Sequence, residues 1–262
     1  MDKAPDLDLL AVFAHPDDES FGVGGTLARY AAEGIRVHLV CATRGEAGCT
    51  GDRPLCAQED LGALRERELR AAGAALGIET IRLLECVDGS LPSCPSAELV
   101  GRVVAAIREI MPQVVITFGP DGISGHPDHA TISRATTEAV AAAADPAAYS
   151  EQGAWGLGPW QVSRLYYLVR SRSTAVTCGE AATEADEAVA TARVDVSAHL
   201  ERKLRAMRSH QSQCQSFDGR SEEELKQLLR YEHFRLASPS PIEEGETEDD
   251  LFRYLAPVPL RR

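Results

Sequence analysis

The chain has 262 residues, with 27 Lys and Arg against 40 Asp and Glu, a net charge of −13 that excludes a nucleic-acid backbone as the main partner, because phosphate binding needs clustered basic residues. Hydrophobic residues at 44% and charged residues at 26% suit a globular chain with an ample core. No apolar run approaches the ~18 residues of a membrane span, and MDKAPDLDLL lacks the basic start and apolar stretch of a secretory leader, so a cytoplasmic protein is expected.

Residues 9–13, LLAVF, form a short apolar run that predicts a buried strand. A Gly-rich turn follows, then a helix over residues 26–33, stopped by Gly34. Residues 37–42 (VHLVCA) predict a second strand, and residues 59–76, rich in helix formers, a helix ended by Gly77. A third strand is expected at 81–84, a helix at 97–110, a fourth strand at 114–118 (VVITF) and a helix at 128–144. Residues 145–160 hold both tryptophans among Gly and Pro, and an insertion at about 145–162 reads as a loop walling a pocket. Beyond it come a strand in LYYLV, an acidic Ala-rich stretch at 179–190 of ambiguous type, and helices at 197–211 and 221–235. The Pro-containing acidic stretch from residue 238 onward predicts a solvated, mobile tail. The expected organisation is one catalytic domain over 1–237 followed by a tail over 238–262.

This strand–helix alternation predicts an α/β fold: a Rossmann-like, doubly wound, mostly parallel sheet with helices on both faces. Such folds bind ligands beyond the carboxyl ends of their strands. Gly22, Gly24 and Gly25 are not a dinucleotide fingerprint, because Leu27 stands where G-x-G-x-x-G needs glycine. They read as close helix–strand packing, and a nucleotide-dependent oxidoreductase has no phosphate loop to rest on. The seven cysteines, at 41, 49, 56, 86, 94, 178 and 214, contain no C-x-x-C pair, which argues against a cysteine zinc site and for reduced thiols. Cys49 and Cys56 flank a short loop and are the pair placed to approach each other.

Two clusters carry chemistry. Ala14-His15-Pro16-Asp17-Asp18-Glu19 follows the first strand, and Gly125-His126-Pro127-Asp128-His129 follows VVITF. Neutral imidazole and carboxylate are good ligands for zinc, and iron or cobalt would also be accepted. A catalytic zinc keeps three protein ligands and one open position; His15, one of the two aspartates and a histidine of the second cluster supply that set. The adjacent aspartates point different ways, so one can bind metal while the other takes a proton from water. The spare histidine can stabilise an oxyanion or protonate a leaving amine. This is the equipment of a metal-dependent amide hydrolase. A protein that merely binds metal needs neither the second aspartate nor the second histidine.

At these residues the sequence resembles the LmbE/PIG-L family of zinc-dependent N-deacetylases, which includes N-acetylglucosaminyl-phosphatidylinositol, mycothiol-pathway and bacillithiol-pathway deacetylases. AHPDDE (14–19) and HPDH (126–129) carry the resemblance. Supporting phrases are ATRGEAG (42–48), ALRERELRAAGAALGI (63–78), VDGSL (87–91) and KLRAMRSHQSQ (203–213). The resemblance implies metal ligation by His15, Asp18 and His129, and Asp17 as the general base. It implies His126 as oxyanion stabiliser or general acid, Asp128 as the residue orienting a nearby imidazole, and Arg65 and Asp88 in the substrate pocket. Glu19 is expected either to support His15 or to hold its loop through backbone donors, and His210 to pack or cap. The expected reaction is hydrolysis of an N-acetyl group on an N-acetylglucosamine-type small molecule, releasing acetate. The rival within hydrolases is an amidase for a thiol conjugate or another N-acyl group. Specificity is expected in loops 47–58 and 145–162, and the helical second half leaves room for homo-oligomers.

Overall fold

The first strand, β1 (Asp8–Phe13), is buried at every position, so its apolar run lies inside a sheet covered on both faces. The computed structural model describes residues 7–50, 54–171, 174, 187–213, 221–238, 247–253 and 255. After β1 come α1 (Asp18–Ala32), β2 (Arg36–Thr43), α2 (Leu61–Leu76), β3 (Thr80–Cys86), α3 (Ser96–Ile110), β4 (Val114–Phe118) and α4 (Pro127–Ala144). Then follow β5 (Arg164–Leu168), β6 (Ala192–Asp195), α5 (Leu200–Ser209), α6 (Glu222–Leu228) and β7 (Tyr231–Ser238). Among the described residues seven strands form one sheet in the order β3-β2-β1-β4-β5-β7-β6. The pairs β3–β2, β2–β1, β1–β4 and β4–β5 are parallel, whereas β7 runs antiparallel to both β5 and β6. The α/β, doubly wound expectation is therefore borne out. The order reverses between β1 and β4, which places the switch-point crevice between the two His–Pro–Asp clusters.

Several boundaries differ from expectation. Helix α1 begins at Asp18, not near residue 26, and runs through the three glycines. A Cβ on Gly25 would lie 2.5 Å from Val196, and one on Gly22 would lie 2.7 Å from Leu168. The helix keeps glycine because its neighbours leave no room for a side chain, and tertiary packing overrides propensity. The expected helix over 221–235 is α6 followed by β7, and β6 was not anticipated. In β7, Glu232 and Phe234 are buried on alternate positions. A buried Glu reads as a surface residue, which hid the period of two. Glu232 is buried against Lys203 at 2.6 Å, with both side chains at 0% exposure, and it accepts the Gly25 and Thr26 N–H groups of α1.

The end of the acidic segment is not a solvated tail. Glu248 is buried: its carboxylate meets Arg164 at 2.7 Å and accepts the Tyr166 hydroxyl at 2.6 Å. Leu251 is also buried, and Tyr30 donates to Asp250 at 2.9 Å. An arginine inside β5 needs a counter-charge, and Glu248 supplies it. Residues 145–162 contain a short 3-10 turn, Ser150–Trp155, tied down by Arg108, which donates to the carbonyls of Ala142, Asp145, Ala148 and Tyr149. Of the 179–190 stretch, residues 179–186 lie outside the described residues. Cys49 and Cys56 are both thiols. No helix among the described residues is long and apolar enough to cross a membrane.

Candidate metal centre and catalytic site

The chain leaves β1 through a tight turn built by two carboxylates. Asp18 folds back so that its Oδ2 accepts the N–H groups of Ala14 at 3.2 Å and His15 at 2.7 Å. Asp17 caps α1 with φ 114 and ψ −31, a conformation that costs a non-glycine residue roughly 1–3 kcal/mol and persists only where its surroundings over-determine it. Here they do. Glu19 Oε2 accepts the Asp17 N–H at 3.0 Å, while Arg65 donates to Asp17 Oδ2 at 3.0 Å and to the Pro16 carbonyl at 2.6 Å.

The loop after β4 brings up the second cluster. Gly122 has φ +68, and a Cβ there would sit 2.8 Å from the Ala130 nitrogen, so only glycine lets this loop close on α4. His126 is the N-cap of α4, with Pro127 at the first helical position, and its Nδ1 accepts the Asp128 N–H at 3.2 Å. One turn in, the His129 ring stacks on Phe118 with centroids 4.1 Å apart.

Three side chains of metal-ligating type now face one another. His15 Nδ1 lies 3.1 Å from His129 Nε2 and 3.7 Å from Asp18 Oδ2, and His129 Nε2 lies 3.4 Å from Asp18 Oδ1. A tetrahedral zinc with bonds of ~2.1 Å has ligand–ligand edges of about 3.4 Å, so this triangle is of the right size. The outer ring nitrogens fix the tautomers. His129 Nδ1 faces the Gly122 carbonyl at 3.1 Å and donates to it. His15 Nε2 faces Asp88 at 2.9 Å and Asp128 at 3.2 Å and donates there. The inner nitrogens then face each other and a carboxylate, a contact that either a proton on His15 Nδ1 or a bound metal cation in its place would satisfy. The surroundings of His15 favour positive charge there: burial opposes its protonation, but Asp128, Asp88 and Asp18 outweigh burial and raise its pKa to about 10. The residues therefore fit a divalent metal.

The other expected residues surround this triangle. Burial pushes the Asp17 carboxyl up to about 7; Arg65 opposes the rise and Asp18 adds to it. Its side chain is 21% exposed, so it reaches solvent beside this triangle. His126 is exposed, with its ring centroid 4.9 Å from those of both His15 and His129. Its pKa is lowered by burial first and then by the two neighbouring imidazoles, which leaves it neutral at pH 7. Asp128 is fully buried; besides His15 it accepts the N–H groups of Gly89 at 2.8 Å and Leu91 at 3.1 Å. The imidazole that it orients is therefore that of His15. Two groups of metal-ligating type cluster here besides the triangle: His126 with His15 and His129, and Asp88 with Asp128 around His15 Nε2.

Arg65 and Asp88 make their bonds with protein. Arg65 is buried behind Asp17 and also donates to the Gly45 carbonyl at 2.8 Å. Asp88 accepts the Ala47 N–H at 2.9 Å as well as the His15 proton, and His15 holds its pKa down at about 2 although burial raises it. Glu19 does not touch His15. It holds the loop through Asp17, and its other oxygen meets His210 Nε2 at 2.8 Å. The weight of His210 was not legible beyond its place in the HQSQ phrase.

The family described as PIG-L, GlcNAc-PI de-N-acetylase, matches residues 10–140. The chain is 38% identical over 288 residues to a 1D-myo-inositol 2-acetamido-2-deoxy-alpha-D-glucopyranoside deacetylase of Rhodococcus erythropolis, covering 93% of this chain and 96% of that one. It is 36% identical over 292 residues to the deacetylase of the same name from Geodermatophilus obscurus, covering 95% and 98%. Among solved structures, the N,N'-diacetylchitobiose deacetylase of Pyrococcus horikoshii shares the fold with a TM-score of 0.71 at 24% identity, over 87% of this chain and 83% of that one. With two diagnostic clusters meeting at one switch point and relatives alike along nearly the whole chain, this protein belongs to the PIG-L family.

Proposed function

We propose that this chain is a zinc-dependent hydrolase that removes the acetyl group from an N-acetylglucosamine linked to inositol. The observation that carries the reading is the inward-facing triangle of His15, Asp18 and His129 with Asp17 beside it. The substrate is that named for relatives at 38% and 36% identity. Zinc held by the triangle would supply Lewis-acid polarisation and lower the pKa of a water.

The chain's own residues do the rest. Asp17, with a pKa near neutrality and one edge in solvent, takes the proton of the attacking water. His126, neutral and held at the N-terminus of α4, donates a hydrogen bond to the oxygen of the acetamide carbonyl as negative charge develops. Asp128 and Asp88 fix the His15 tautomer, and Arg65 aims the Asp17 carboxylate. The C–N bond breaks, the proton passes to the amine, and acetate and free amine leave. Residues 1–237 form the catalytic unit, and the segment after 238 returns to brace its sheet through Glu248.

The test is acetate release from N-acetylglucosaminyl-inositol by the zinc-loaded protein and by Asp17→Asn. Loss of one general base costs on the order of 10²–10⁴-fold, and bound zinc should stay stoichiometric because Asp17 is not a ligand. Full activity in Asp17→Asn would overturn the assignment of the base.

A further inference from the structure

A segment far from both clusters in sequence is fastened behind the catalytic turn. Helix α5 ends at His210, and the chain then turns through Gln211, Ser212 and Gln213. His210, Ser212 and Gln213 each reach a different segment. His210 Nε2 meets Glu19 Oε1 at 2.8 Å, with side chains 0% and 1% exposed. Ser212 donates its N–H at 2.8 Å and its hydroxyl at 2.6 Å to Glu68. Gln213 donates to the Cys49 carbonyl at 3.2 Å.

One of these links ends at Asp17, and a second ends on the helix that carries Arg65. Glu19 passes the first on directly, because its second oxygen accepts the Asp17 N–H. Glu68 lies one turn after Arg65 on α2, and Arg65 donates to the Asp17 carboxylate. Asp17 carries the positive φ that needs such over-determination. Glu19 can hold it only while its own other oxygen is held in place, and His210 Nε2 is the buried donor that ties that oxygen to a remote element. Ser20 donates to the same Glu19 oxygen but belongs to the same helical turn, so it does not anchor Glu19 to another element.

We propose that His210 is a positioning residue for Asp17: acting through Glu19, it fixes the left-handed backbone of Asp17 and so the aim of its carboxylate. This rests on Asp17 being the base proposed above. Misplacing a reacting group by about 1 Å can cost on the order of 10²-fold in rate. His210 makes no contact with any of the three metal-ligating side chains, so metal binding should be spared.

The experiment compares wild type, His210→Leu and His210→Gln, each zinc-loaded, by kcat and KM for acetate release per bound zinc and by crystal structure. Gln carries an N–H donor where His Nε2 stands; Leu carries none. The expected result is a fall in kcat on the order of 10²-fold for Leu with KM within about twofold, and recovery of most of that loss by Gln. In the structures Asp17 leaves its positive φ in the Leu variant and keeps it in the Gln variant. Equal kcat for Leu and wild type per bound zinc, or equal losses for Leu and Gln, would overturn the proposal. If Leu does not fold, His210→Asn, too short to reach Glu19, takes its place. An unmoved Asp17 in the variant without the donor overturns the positioning role whatever the turnover. A wild type that releases no acetate while Asp17 still moves in that variant overturns the assigned reaction alone.

Discussion

Asp128 shows how the site can be tested through one buried carboxylate. Every atom facing it is a donor: Gly89 N–H and His15 Nε2–H on Oδ2, and Leu91 N–H on Oδ1. In Asp128→Asn one oxygen becomes an NH2 group. If the remaining oxygen keeps Gly89 and His15, the amide hydrogens confront Leu91 N–H; if it keeps Leu91, they confront the other two. Either way a fully buried donor loses its partner, which costs about 1–3 kcal/mol. The negative charge beside His15 also disappears, and replacing such a partner of a metal-bound histidine typically weakens metal binding about 10–100-fold. Asp88, at 2.9 Å, still accepts the His15 proton, so the lower end of that range is expected for the single variant and the upper end for Asp88→Asn with Asp128→Asn. Urea denaturation of the metal-free protein gives the first quantity, and zinc competition against a chelator gives the second. Unchanged stability together with unchanged zinc affinity in the double variant would refute the tautomer argument, and with it the reason for choosing His15 Nδ1 as the metal-facing atom.

Lys203→Met should destabilise the protein by roughly 3–5 kcal/mol in urea titration, because it leaves Glu232 buried with backbone donors alone; Lys203→Met with Glu232→Gln should regain part of the loss. His233 has its pKa lowered below the ordinary 6.5, by burial first, with Arg193 also lowering it and Glu187 and Glu232 opposing. The unfolded chain then binds a proton more readily than the folded one, so His233 costs stability as pH falls below about 6.5. The wild-type Tm should drop relative to His233→Gln between pH 7 and pH 5, and parallel curves would contradict this.

The sheet and the two clusters were legible because they follow simple rules. Continuous apolar runs belong to strands covered on both faces, and β1, β2 and β4 are buried nearly throughout. Ligand type was equally plain in HPDDE and HPDH. The choice of atoms was not, because it depends on partners brought in by folding: the Gly122 carbonyl for His129, and Asp88 with Asp128 for His15. What pattern reading missed has one physical origin. Glu232 and Glu248 look like surface charge, yet each, like Glu19, is buried and joins segments remote in sequence. Glu19 binds the turn after β1 to His210, Glu232 binds β7 to Lys203 and the middle of α1, and Glu248 binds the acidic C-terminal stretch to Arg164. A hydrophobic pattern cannot register a buried acid, because its burial depends on a cation elsewhere in the chain. The strand period of β7 and the docking of residue 248 were lost for that reason, and so was the part of His210. The charge of −13 is thus partly interior. Asp18 and Asp128 lie in the candidate metal site, Glu19 holds the Asp17 backbone beside it, and Glu232 and Glu248 fasten the half of the sheet that alternation alone did not reveal.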